Sequence, residues 1–77
     1  MRAELVVYTR ANCPLCDELK DELRRCALLF AERDIATNAD WYARYRERIP
    51  VVVDPDGAEF DPPFDSTLLA AWRRLWG

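Results

Sequence analysis

Leu5-Val6-Val7-Tyr8-Thr9-Arg10-Ala11-Asn12-Cys13-Pro14-Leu15-Cys16 decides how the rest of the chain is read. Residues 5–8 form a continuous apolar run, the pattern of a central strand covered on both faces. A short polar connection follows, and then a long stretch with helical spacing. The two cysteines therefore fall where a strand hands over to the head of a helix, a redox-type arrangement. The first N–H groups of a helix have no backbone partners, and with the helix dipole they favour negative charge. A thiolate at Cys13 is stabilised there, and thiolate is the form that attacks disulfides. Pro14 suits the first helical position, where a missing N–H costs nothing. Cys16 comes one turn later and can close a small ring with Cys13.

Working outward, the chain has 77 residues, enough for one domain over 1–77. A domain of this size buries only about 60% of its unfolded surface. Just over half of the residues are apolar and only two are glycine, a composition that folds rather than staying disordered. The formal net charge is −3, which argues against nucleic acid as a general partner, because phosphate binding needs a basic field. With no histidine, there is no imidazole base or ligand, and zinc normally takes four ligands. One cysteine pair plus Cys26 cannot supply them, so no metal site is expected. Three cysteines are too few for a disulfide framework. The apolar segment near the start is too short for a signal-peptide core or a membrane span. The expected location is a reducing cytoplasm, where a cysteine pair is catalytic or metal-binding more often than structural. A monomer with no membrane partner is the simplest expectation.

In chain order, the spacing predicts a strand over 4–9 and a helix over 14–32. Cys16, Leu19, Leu23, Cys26, Ala27 and Phe30 make the helix's apolar face. A weak strand is expected over 34–38, anchored by Ile35, and a right-handed crossover would join it to the first strand. Asp40 can cap a short helix over 41–47, with Trp41 and Tyr45 one turn apart. Ile49 precedes a proline and should not be helical. Val51-Val52-Val53 reads as a buried strand. Asp54-Pro55-Asp56-Gly57 reads as a turn leading to a strand over 58–61, which Pro62-Pro63 ends. Asp65 can cap a helix over 66–76, with Phe64 and Leu69 matching a hydrophobic staple. Leu68, Leu69, Trp72, Leu75 and Trp76 form its expected buried stripe.

This order, with Cys-x-x-Cys after the first strand, resembles the thioredoxin fold and its small glutaredoxin-like branch. The matching stretches are Tyr8-Thr9-Arg10, Cys16-Asp17-Glu18-Leu19, residues 45–51 with Arg48-Ile49-Pro50-Val51, and Phe64-Asp65 leading into the last helix. The resemblance implies an α/β three-layer sandwich, β-α-β-α-β-β-α, with a four-stranded mixed sheet. It also implies a cis Ile49–Pro50 bond facing the cysteines, which proline makes physically accessible. The backbone beside Ile49 would then be left to pair with an extended substrate chain. Typical glutaredoxins carry a Gly-Gly step before the last helix. Here the segment is Phe60-Asp61-Pro62-Pro63-Phe64-Asp65, a departure that bears on glutathione rather than on the thiol chemistry.

The expected activity is thiol–disulfide exchange, with Cys13 attacking and Cys16 resolving. Arg10, Pro14, Leu15, Arg48, Ile49 and Pro50 are the expected substrate-binding residues, with Arg10 near the thiolate. The partner is a disulfide-containing protein or a small-molecule disulfide. No bound cofactor is expected beyond an electron donor, either glutathione or a reductase. The resemblance admits two alternatives: a glutathione-dependent [2Fe–2S] carrier and a non-catalytic interaction module. Cys26 lies about 15 Å beyond Cys16 along a helix, out of disulfide reach, and reads as a small core residue.

Overall fold

A computed structural model describes residues 4–77. Its sheet is built on β1 (Leu5–Thr9), β2 (Phe30–Asp34), β3 (Val51–Val53) and β4 (Glu59–Phe60). Strand order is β2-β1-β3-β4. β1 runs parallel to β2, with Leu5 opposite Phe30, and antiparallel to β3, with Val7 opposite Val52. β4 closes the sheet antiparallel to β3. The helices are α1 (Pro14–Arg25), α2 (Ala39–Tyr45) and α3 (Ser66–Trp76), with a 3₁₀ turn over Ile35–Thr37.

Strand side chains alternate between faces, so β1 feeds two cores. Leu5 and Val7 join Val52, Leu19 and Leu23 of α1, and Leu69 and Trp72 of α3 in the larger core. Tyr8 joins Ile35, Tyr45 and Val51 in the smaller one, with Val6, Trp41 and Ile49 packed against it. This double coverage explains the unbroken apolar run: each of its residues has a core to enter. Two helices lie on one face of the sheet and the short helix with its 3₁₀ turn on the other, giving three layers. The Tyr8 ring meets Trp41 edge-on at 5.5 Å and Tyr45 at 4.5 Å. No helix among the described residues is long and apolar enough to cross a membrane.

Three boundaries differ from the sequence expectation. The first helix ends at Arg25, not at 32. Ala27 takes a left-handed φ of 56°. Its N–H donates to the Arg24 carbonyl, and the Leu28 N–H donates to the Leu23 carbonyl. This is a Schellman stop, with Leu23 and Leu28 both buried beside it. The usual glycine is replaced by alanine, so the stop carries no glycine signal. As a result the second strand lies at Phe30–Asp34 rather than 34–38, and Ile35 is buried from the 3₁₀ turn. The second helix is capped by Asn38, not Asp40: Asn38 Oδ1 accepts the N–H groups of Asp40 and Trp41. In α3, Asp65 accepts the Leu68 N–H at 2.8 Å, as its capping position requires. Leu75, however, is 66% exposed. It lies about a third of a turn round from Leu69, at the edge of the stripe.

Candidate active site

The end of β1 delivers the cysteines. Asn12 bends the connection with a left-handed φ of 58°, a conformation Asn tolerates better than most residues. Cys13 is then the N-cap of α1, extended at φ −115° and ψ 99°, with Pro14 at the first helical position. The Cys16 N–H donates to Cys13 Sγ at 3.2 Å. One otherwise unpartnered helix donor thus points at that sulfur. Cys13 and Cys16 are joined as a disulfide, with Cα atoms 5.2 Å apart. Their environments differ: Cys13 is half-buried, whereas Cys16 is 1% exposed.

Of the residues expected to meet substrate, Arg10, Pro14 and Leu15 are exposed, Ile49 is half-buried and Pro50 is buried. The Ile49–Pro50 bond is cis, and so is Pro62–Pro63. Leu15 and Pro50 line one groove together with Pro62, Pro63 and Phe64. Arg48 is directed elsewhere. Its guanidinium donates to Glu59 at 3.2 Å and to Asp61 at 3.3 Å, tying the segment after α2 to the end of β4 and the residue beyond it. Those carboxylates hold its pKa above the ordinary arginine value, through the hydrogen bond to Asp61 first. Cys26 is a half-buried free thiol at the far end of α1. Among the described residues, no three His, Cys, Asp or Glu side chains gather as a metal site.

One group escaped sequence reasoning. The hydroxyl of Thr9, itself 1% exposed, donates to Glu32 Oε2 at 2.8 Å. Lys20 Nζ donates to the same oxygen at 2.9 Å. Glu32 is thereby held below the usual carboxylate range, by the Lys20 hydrogen bond first and the Thr9 hydroxyl second. Lys20 is raised, mainly by that same bond. The network ties β1, β2 and α1 together four residues after Cys16. With the first helix drawn through residue 32, Glu32 is a helix residue and its pairing with Lys20 is invisible.

A four-stranded mixed sheet between helix layers, with a Cys-x-x-Cys pair at the head of the first helix, defines a thioredoxin-fold protein of glutaredoxin-like type. Residues 4–73 match the glutaredoxin-like domain family (DUF836), and the chain belongs to that family. Solved structures agree with this placement. The X-ray structure of the structural-genomics target XcR50 from X. campestris is 36% identical, with a TM-score of 0.80 over 95% of this chain and 99% of that one. A solution structure of XcR50 gives 36% identity and 0.78 over 100% and 97%. The solution structure of protein Ne2328 from Nitrosomonas europaea is 27% identical, with a TM-score of 0.77 over 94% and 92%.

Proposed function

We propose that this protein is a thiol–disulfide oxidoreductase that reduces disulfides with Cys13 and Cys16. The observation carrying this reading is the asymmetry of the pair: Cys13 is accessible at the helix head and receives the Cys16 N–H, while Cys16 is enclosed. In the reduced protein the Cys13 thiolate attacks one sulfur of a substrate disulfide. That S–S bond breaks, its electron pair leaves on the other substrate sulfur, and solvent protonates the leaving thiolate. Cys16 then loses its proton and attacks Cys13 Sγ, which expels the second substrate thiolate. The substrate has gained two electrons, and the protein is left with the Cys13–Cys16 disulfide. Two glutathione thiols, leaving as glutathione disulfide, or the dithiol of a reductase return the two electrons. In this reading Pro14, Leu15, Ile49 and Pro50 would contact the substrate chain, with Leu15 and Pro50 sharing one groove, and Arg10 would supply positive charge from the preceding loop. Arg48 is engaged by Glu59 and Asp61, so its role in this reading is to hold β4 rather than to meet substrate.

The test is a pair of variants assayed with a small neutral disulfide and a thiol donor. Cys13→Ser should abolish exchange. Cys16→Ser, mixed with the disulfide before the donor is added, should accumulate a Cys13 mixed disulfide detectable by intact mass. Full exchange by Cys13→Ser would overturn the reading.

A further inference from the structure

The groove beside the cysteines is chemically one-sided. It encloses about 420 Å³. Its apolar lining comes from Leu15, Pro50, Pro62, Pro63 and Phe64. Leu15 lies between the two cysteines and is 56% exposed, an apolar side chain left uncovered at the point of attack. α1 supplies Leu15 and also a charged flank, where Glu18, Asp21 and Glu22 accompany a single guanidinium, Arg25. Asp21 and Glu22 are paired with Arg24 and Arg25 along the helix surface. Glu18, the nearest of the three to the cysteines in sequence, makes no ion pair among the described residues. Pro62 and Pro63 have no N–H, so this part of the rim offers an incoming carboxylate no backbone donor.

Resting on the oxidoreductase reading, we propose that the groove selects its substrate: a polypeptide disulfide whose cysteine is flanked by apolar and basic residues. An apolar neighbour of the substrate cysteine covers Leu15 and the proline-lined wall, removing apolar surface from water. A lysine or arginine further along meets the carboxylates of α1. Complementary charge of this kind raises association rate and selectivity more than it raises bare affinity. A small disulfide bearing several carboxylates meets the reverse situation, with like charge along α1 and no backbone donor at Pro62 or Pro63.

Docking can be measured apart from chemistry by titrating the oxidised protein with short peptides in which serine replaces the cysteine. One peptide carries Leu and Lys beside the serine and the other Leu and Glu, with amide shifts followed by NMR. The Lys peptide should bind about two- to fivefold more tightly at low ionic strength, the range expected of an exposed charge pair. The difference should vanish at roughly 1 M salt, where the screening length is about 3 Å. Shifts should map to Leu15, Glu18 and Phe64, and Glu18→Lys with Asp21→Lys should reverse the preference; both positions are exposed, so folding is preserved. Equal binding of the two peptides, or tighter binding of the Glu peptide, would overturn the selectivity. The two readings separate cleanly. Exchange with a small neutral disulfide but no Lys preference removes the groove proposal alone. Lys-selective docking without any exchange removes the oxidoreductase reading and leaves the groove as a peptide-binding surface.

Discussion

Burial and helix-head placement together sort the three cysteines by reactivity. In the reduced protein Cys13 should be alkylated faster than Cys16 or Cys26, because it alone combines access with a helix-head donor. Mass-resolved alkylation against pH checks this; faster reaction at Cys26 would contradict the assignment. Glu32 makes a second residue-level prediction. Its carboxyl titrates below its ordinary value in the fold, so it binds fewer protons in the folded than in the unfolded chain. The stability it contributes is therefore present above the unfolded value of about 4.3 and is lost as pH falls through the lowered folded value. Lys20 acts at the opposite end: its raised value makes its contribution complete below about pH 10 and lost on further alkalinisation. Because Glu32 is 43% exposed in its side chain, solvent moderates the effect. Glu32→Gln should flatten the acid limb of the urea midpoint measured from about pH 6 to 3. An unchanged limb would place the acid sensitivity elsewhere.

At the scale of elements, the informative positions are helix ends. Ala27 holds a conformation that costs an L-residue about 1–2 kcal/mol, partly offset because glycine has more unfolded freedom to lose. Ala27→Gly should therefore stabilise the protein by about 0.5–1 kcal/mol, read from the urea midpoint at constant slope. Asp65→Ala removes the acceptor of the Leu68 N–H and should cost about 1 kcal/mol. These two ends also show how legible each element was. Asp65, the staple of Phe64 with Leu69, and the turn at Asp54-Pro55-Asp56-Gly57 all announce themselves within a few residues. In the turn, Asp54 Oδ1 accepts the N–H groups of Asp56 and Ala58, and Gly57 takes a φ of 91°. The stop at Ala27 has no such local sign. It depends on Leu28 folding back over Leu23 into a core that exists only once the sheet is assembled.

For the molecule as a whole, a chain of 77 residues has roughly 4–12 kcal/mol of stability to lose. Leu23, fully buried between α1 and the sheet, should cost about 2–5 kcal/mol on truncation to alanine, a large share of that total. Leu75→Ala, by contrast, should change stability by less than about 0.5 kcal/mol, although helical spacing puts both leucines on apolar stripes. Denaturant midpoints of the two variants measure how sharply the two-helix layer ends. The same layering places the redox pair. β1 is central, its end opens at the sheet's edge, and α1 starts there with Cys13 outward and Cys16 in the larger core's shadow.

Local chemistry in the sequence determined the order of elements, the helix-head position of Cys13 and Cys16, the cap and staple of α3, and the strand after Ile49-Pro50. Each is encoded by neighbours within one helical turn or one strand, so no folded partner is needed to read it. Tertiary structure alone decided where α1 stops, where β2 lies, that Thr9, Glu32 and Lys20 share one oxygen, and that Leu15 and Phe64 wall a common groove. These depend on partners 12 to 49 positions away in the chain. Glu32 illustrates the reason. Between Ala31 and Arg33 it looks like any solvated charge. It becomes a shared acceptor only because β2 pairs in parallel with β1, setting Glu32 opposite Val7 and within reach of α1.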